Sequence, residues 1–177
     1  FQHDPDDTAS ISNNAIISMF MDKRGVLWVG TGSALDRFNP ETQSFSHFTP
    51  EETTSSETLR FSVFAILEDS QGNFWVGSNR GLLLFDRETS TFSEFRPRGR
   101  AANSFSNNKI NVVYEDHYQN IWVGTSDDGL KKIDFETGDV INYRNDPENP
   151  ASIGGNSIMC IYQDVSGVLW VSTHGGG

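Results

Sequence analysis

Asp22-Lys23-Arg24-Gly25-Val26-Leu27-Trp28-Val29-Gly30-Thr31 carries the pattern that decides the fold. It returns as Asp69-Ser70-Gln71-Gly72-Asn73-Phe74-Trp75-Val76-Gly77-Ser78, and again around Trp122 and Trp170. The tryptophans stand at 28, 75, 122 and 170, so the spacings are 47, 47 and 48 residues. An Asp lies six residues before each, at Asp22, Asp69, Asp116 and Asp164. Three copies place Gly three residues before Trp (Gly25, Gly72, Gly167), where the third has Gln119. A period in the forties marks a solenoid or a propeller.

Working outward, each unit reads as four strands. The first, Ile16–Met21, has counterparts at Val63–Glu68, Ile110–Glu115 and Ile158–Gln163. Ile16 and Phe20 on one face and Ile17 and Met19 on the other predict burial on both sides. Small or medium residues (Ser18, Ala65, Val112, Cys160) suit a crowded inner strand. The Asp-x-x-Gly string makes a tight hairpin into a second strand, whose Trp and Val point to opposite faces. Third strands are expected at Leu35–Asn39, Leu82–Asp86 and Leu130–Asp134, closing in turns such as Asn39-Pro40-Glu41-Thr42, Asp86-Arg87-Glu88-Thr89 and Asp134-Phe135-Glu136-Thr137. Fourth strands follow at Ser44–Phe48, Thr91–Phe95 and Asp139–Tyr143, and a polar loop leads to the next unit.

The expectation is all-β: a β-propeller of four-stranded antiparallel blades. Residues 1–177 form a partial propeller, with blades over about 15–48, 62–95 and 109–143 and an inner half-blade over 157–173. Phe1 aligns with Phe48, Phe95 and Tyr143 at the end of a fourth strand. The sequence is therefore expected to be a piece of a larger propeller, or to pair with another copy. Leu169–Ser172 would be an open edge, so edge-strand self-association or a homodimer is expected.

Composition narrows the function. The formal net charge is −11, which repels phosphate backbones and argues against nucleic acid and against direct contact with an anionic membrane. The longest apolar runs, such as Ala15–Met21, are too short to span a bilayer. A single cysteine, Cys160, excludes an internal disulfide framework and a Cys-based zinc cage. His3, His47, His117 and His174 show no metal spacing, and no G-x-S-x-G elbow or P-loop is present. No cofactor is expected.

The strings resemble the two-component regulator propeller repeat of bacterial sensor proteins. The likeness lies in Ser10-Ile11-Ser12-Asn13-Asn14 and Ser104-Phe105-Ser106-Asn107-Asn108, the Asp-x-x-Gly and Leu-Trp-Val-Gly-Thr strings, Gly81-Leu82, Gly129-Leu130, and Asp4-Pro5-Asp6 with Asp146-Pro147-Glu148. Ala34 in place of Gly, Arg60-Phe61 in place of the Asn pair, and Gly154-Gly155-Asn156 depart from it. The resemblance implies a periplasmic sensor region of a hybrid histidine kinase or diguanylate cyclase, with the output modules elsewhere in the polypeptide. It implies a small-molecule ligand, oligosaccharides from polysaccharide breakdown among them.

Repeated residues serve the fold, so Trp28, Trp75, Trp122 and Trp170 are expected in inter-blade packing and the four Asp in turns. Asn14, Asn108 and Asn156 are expected to bond their own loops. Ligand specificity belongs where units differ, on the face bearing the second-to-third turns and the inter-blade loops. The candidates are Ser33, Asn79, Arg80, Asp127, Asp128 and His174, with Arg60 from a loop. Arg80 suits a carboxylate and the others suit sugar hydroxyls; each is also an ordinary solvated turn residue. The alternatives are a protein-interaction scaffold, or a propeller lyase or hydrolase built on His174 with Asp127 or Asp128. Calcium at Asp127-Asp128 lacks the further oxygens it needs.

Overall fold

The computed structural model describes residues 1–50, 61–97, 105, 108–134 and 139–175. Its strands are β1 (Ile16–Met21), β2 (Leu27–Thr31), β3 (Leu35–Asn39), β4 (Ser44–Phe48), β5 (Val63–Glu68), β6 (Phe74–Ser78) and β7 (Gly81–Asp86). They continue as β8 (Thr91–Glu94), β9 (Ile110–Glu115), β10 (Ile121–Thr125), β11 (Leu130–Ile133), β12 (Val140–Tyr143), β13 (Ser157–Gln163) and β14 (Leu169–His174). Three antiparallel four-stranded sheets run β1-β2-β3-β4, β5-β6-β7-β8 and β9-β10-β11-β12, and β13-β14 forms a two-stranded sheet. These are three blades and half a fourth of a propeller, and the ring is open.

The first strands of successive blades pack on one another, β1 on β5, β5 on β9 and β9 on β13, so they form the inner wall. Antiparallel meanders then fix two faces. The β1–β2 and β3–β4 hairpins and their equivalents lie on one, and the β2–β3 turns and inter-blade loops on the other.

The hairpin geometry explains the repeat's glycine. Gly25, Gly72 and Gly167 adopt φ of +78°, +89° and +88°, a region open to Gly at little cost. Gln119 occupies the same conformation in the third blade at φ +65°. The expected Asx turns also form: Asn39 Oδ1 accepts the Glu41 amide at 3.0 Å, and Asp86 Oδ1 accepts the Glu88 amide at 2.8 Å. Asp86 Oδ1 also accepts the Thr89 amide at 3.1 Å, and the amides of Thr89 and then Glu88 hold the Asp86 carboxyl below its usual pKa. Phe135-Glu136-Thr137 lie outside the described residues.

Two packing expectations need correction. Double-sided burial holds for β5, with Val63, Ala65 and Ile66 buried, but in β1 Ile16, Ile17, Met19 and Met21 are exposed. Trp28 and Trp75 are buried, Trp122 is half-buried, and Trp170 is 61% exposed. The reason is the same in both cases. Each blade buries its Trp face against the first face of the next, and among the described residues no blade covers β1 or follows β14.

Asn14 Oδ1 accepts from the His3 amide at 2.8 Å, and Asn156 Oδ1 from the Asn145 amide at 2.7 Å, each within its own loop. Asn108 instead donates to Asp128 Oδ2 at 3.1 Å. The Arg60-Phe61 departure keeps the packing, since Phe61 fills the buried place that Ile11 and Phe105 hold elsewhere.

Candidate functional site

The hairpin face is an internal scaffold. Asp22 Oδ1 accepts the Arg24 and Val26 amides at 3.0 and 2.8 Å, and its Oδ2 accepts Trp28 Nε1 at 2.9 Å. Asp69–Trp75, Asp116–Trp122 and Asp164–Trp170 repeat the indole bond at 2.8 Å. Burial alone would raise Asp22, but these bonds and Arg87 outweigh it and hold the carboxyl below its ordinary pKa. Asp116 behaves likewise through Trp122 and Asn120. At Asp164, the Ser166 hydroxyl and then the Trp170 indole bring the pKa to about 2.

Blades are also clasped across their seams on this face. Glu68 Oε2 accepts the Lys23 amide at 2.8 Å, Glu115 Oε2 the Ser70 amide at 2.7 Å, and Gln163 Oε1 the His117 amide at 2.7 Å. Arg87 reaches back over the first seam to Asp22 Oδ2 at 3.0 Å and also holds Glu68 Oε1 of its own blade at 2.7 Å. Burial opposes charge on Arg87, yet the two carboxylates raise its pKa. The ~320 Å³ hollow beside Arg87, between Arg24 and Phe74, opens on these structural groups.

The loop face holds the turn candidates. Ser33 Oγ accepts from Asn13 Nδ2 at 2.9 Å, and Ser33 lines a groove of about 320 Å³ with His3, Ser12 and His47. Asn79 Oδ1 accepts the Ser62 amide at 3.0 Å, while Ser62 Oγ donates to Gly32 O at 3.2 Å, so the turns of blades one and two are neighbours. The Arg80 guanidinium lies 6.0 Å from the centroid of the Phe61 ring. Asp127 is exposed, with the Ser126 hydroxyl 3.5 Å from its Oδ1. Arg60 lies outside the described residues.

Asp128 does not present itself to solvent as a ligand group would. Its Oδ2 accepts from Lys131 Nζ at 2.6 Å and from Asn108, and its Oδ1 from Arg144. Lys131 is fully buried, and burial lowers its pKa despite the nearby carboxylate. His174 is exposed at the end of β14, opposite Ser157. Among the described residues no hydrogen bond joins His174 to Asp127 or Asp128, and no cluster of three or more His, Cys, Asp or Glu is placed to hold a metal.

A further set of residues escaped the sequence reading. Every first strand carries a bulge at the same place, which isolates Ile17, Phe64, Asn111 and Met159. Bulges re-aim a side chain. Lys109 Nζ stands 4.1 Å over the Phe64 ring, and Asn111 Nδ2 donates to Ile158 O at 2.9 Å, both across a seam of the inner wall. The available signal was variation: residue type changes here from blade to blade, directly after a position that is always Ile or Val (Ile16, Val63, Ile110, Ile158).

Four segments, 10–33, 62–80, 104–127 and 152–175, match the two component regulator propeller family. The chain belongs to that family. Among solved structures it is similar to the extracellular domain of BT4673 from B. thetaiotaomicron, described as a hybrid two component system. The identity is 26% and the TM-score 0.77, over 92% of this chain and 21% of that one. The extracellular domain of BT3049 from the same organism shares 22% identity with a TM-score of 0.57, over 100% of this chain and 28% of its own. Virginiamycin B lyase from Staphylococcus aureus, at 12% identity and a TM-score of 0.63 over 91% and 50% of the two chains, shares the fold alone. The regulator propeller described here thus spans about a fifth of the length of the BT4673 domain. No curated protein matches the sequence.

Proposed function

We propose that this chain is a non-catalytic, ligand-recognising part of the extracytoplasmic sensor region of a bacterial signalling protein. Its ligand, an oligosaccharide or another small polar molecule, is held on the face of the β2–β3 turns and inter-blade loops. One contrast carries the reading. The repeated Asp, Trp and Glu side chains are occupied within the hairpin face and seams, whereas Ser33, Asn79, Arg80 and Asp127 vary between blades on the opposite face. Extracellular domains of the similar BT4673 and BT3049 proteins favour the periplasm as the compartment. A ligand with unequal affinity for two arrangements of this propeller and its neighbours would bias a kinase or cyclase output located outside this chain.

Thermal unfolding against neutral and acidic oligosaccharides tests the proposal. A ligand at about 100 times its Kd adds roughly 2.7 kcal/mol to the folded state. The expected result is a saturable rise with one sugar class that Arg80→Ala or Asp127→Ala abolishes. A flat response across the panel would contradict it.

A further inference from the structure

We propose that Lys109 is the anion-binding group of the loop-face site and that the ligand is accordingly an acidic saccharide, one carrying carboxylate or sulfate; this rests on the loop face being the ligand face. Lys109 stands directly before β9, and its carbonyl accepts the Ser126 amide at 3.0 Å. That bond places it beside the turn of Ser126 and Asp127, at the loop-face end of the inner wall. Lys109 is exposed, and its Nζ lies 4.1 Å from the centroid of the Phe64 ring on the neighbouring blade. Phe64 stands there because the β5 bulge leaves it unpaired between Val63 and Ala65, which pair with Ser78 and Gly77.

Other cations of this acidic chain are already engaged. Arg24, Arg87, Lys131 and Arg144 hold carboxylates, and Lys23 Nζ donates to the Asp69 carbonyl at 2.6 Å. Lys109 Nζ makes no ion pair or hydrogen bond among the described residues. Arg37 and Lys132 also lie over rings, but in mid-strand on β3 and β11, away from the loop-face turns. An aromatic ring holds an ammonium in place and, unlike a carboxylate, leaves its charge uncancelled. Phe64 is therefore a positioning residue: it fixes where Lys109 points, so less freedom is lost when an anion arrives.

Arg80 repeats the device on the neighbouring turn, its guanidinium 6.0 Å from the Phe61 ring centroid. Phe61 and Phe64 flank the start of β5, so both cations gather at the entrance to one first strand. Asn111 adds an acceptor: its Nδ2 donates to Ile158 O at 2.9 Å, which fixes the amide and leaves Oδ1 for a hydroxyl. Lys109 and Arg80 for an acid group, with Asn111 and Asp127 for hydroxyls, match a sugar acid. A neutral sugar makes no use of the uncancelled charge on Lys109. The net charge of −11 opposes an anion at long range, but physiological salt screens that field beyond about 8 Å, and Lys109 acts at contact.

Titration calorimetry with galacto- and gluco-configured tetrasaccharides, each in neutral, uronate and sulfated form, tests this. The expected result is saturable binding of an acidic form, with its neutral counterpart weaker by about tenfold or more. Lys109→Met keeps the stem over Phe64 without the charge and should weaken acidic binding by about tenfold, while Lys109→Arg should stay within about threefold of the parent. Raising salt from about 50 to about 300 mM should weaken the parent more than Lys109→Met, a difference that a purely structural role would not produce. Phe64→Leu should lower affinity about threefold and keep the salt dependence, as a positioning residue would. Neutral sugar bound on the loop face as tightly as its acidic form overturns the inference and leaves the ligand face standing. Acidic binding that Lys109→Met does not weaken also overturns it. No binding of any of these sugars overturns the inference together with the ligand-face reading beneath it.

Discussion

Oδ2 of Asp69 accepts the indole Nε1–H of Trp75 at 2.8 Å, while Oδ1 of the same carboxylate accepts the amides of Gln71 and Asn73 at 3.0 and 2.8 Å. One buried side chain thus closes the β5–β6 hairpin and orients the ring that fills the seam with the next blade. The six-residue spacing between Asp and Trp is the sequence trace of this double duty. Asp69→Ala leaves those donors without their acceptor and is expected to cost about 3 kcal/mol in urea unfolding. Asp164→Ala removes the same bonds beside an exposed Trp170 and should shift the midpoint less. Equal shifts would mean that burial is irrelevant to the motif.

Arg87 neutralises two carboxylates, Asp22 and Glu68, that are themselves buried. Arg87→Met removes the cation from both, leaving Asp22 its Trp28, Arg24 and Val26 donors and Glu68 only the Lys23 amide, and is expected to destabilise by about 3 kcal/mol. Burial also opposes ionisation of Glu68, and Arg87 is the chief group that overcomes it and lowers the carboxyl's pKa. The stability gap between the parent and this variant should therefore narrow as pH falls and the Glu68 carboxyl protonates. Denaturation midpoints at several pH values provide the check.

Gln119 sits at φ +65° where the other three hairpins use Gly. Gln119→Gly is expected to stabilise the protein by about 0.5–1 kcal/mol, since relief of the left-handed strain outweighs the added freedom of the unfolded chain. Thermal unfolding would show a higher midpoint. A lower one would mean that the Gln side chain contributes more than the strain costs.

Adjacent Asp127 and Asp128 have different tasks. Asp128 holds the buried Lys131 at 2.6 Å, so Asp128→Ala should cost about 3 kcal/mol, the consequence of an unpaired buried ammonium. Asp127→Ala at the exposed neighbour should stay within about 0.5 kcal/mol of the parent. Chemical denaturation of the two variants side by side decides this, and comparable losses would refute the division.

Asp164 has a folded pKa of about 2 against 3.8 for the free side chain. Its ionised form is preferred in the folded state, so its contribution is complete above 3.8 and is lost as pH falls through about 2. The stability gap between the parent and Asp164→Asn should be constant near neutrality and close through that acidic window. A gap that persists at the acid end would locate the effect elsewhere.

The strand order and blade type were legible because Trp, Asp and Gly recur in phase, and only a repeated supersecondary unit imposes that constraint. Strand bounds moved by one or two residues, with β7 starting at Gly81, β12 at Val140 and β14 running on to His174. Exposure was less legible. Trp170 and Met19 carry the same local signals as buried counterparts, and whether a neighbouring blade covers them depends on residues far away in sequence. Asp128 looked like a ligand group because Lys131 is three residues away on the next strand, and sequence alone does not reveal that its ammonium turns inward. The bulge residues Ile17, Phe64, Asn111 and Met159 were hidden because a strict two-residue alternation has no place for them.

The most direct test of a ligand-recognising loop face is a titration followed by amide NMR. Isotope-labelled protein would be titrated with the oligosaccharide class selected by thermal shift. Saturable shifts are expected, confined to the turns around Ser33, Asn79–Arg80 and Asp127 and to the neighbouring Ser62 and Lys109. Shifts centred on the hairpins of Gly25, Gly72 and Gln119, or none at saturating sugar, would contradict a ligand-recognising loop face.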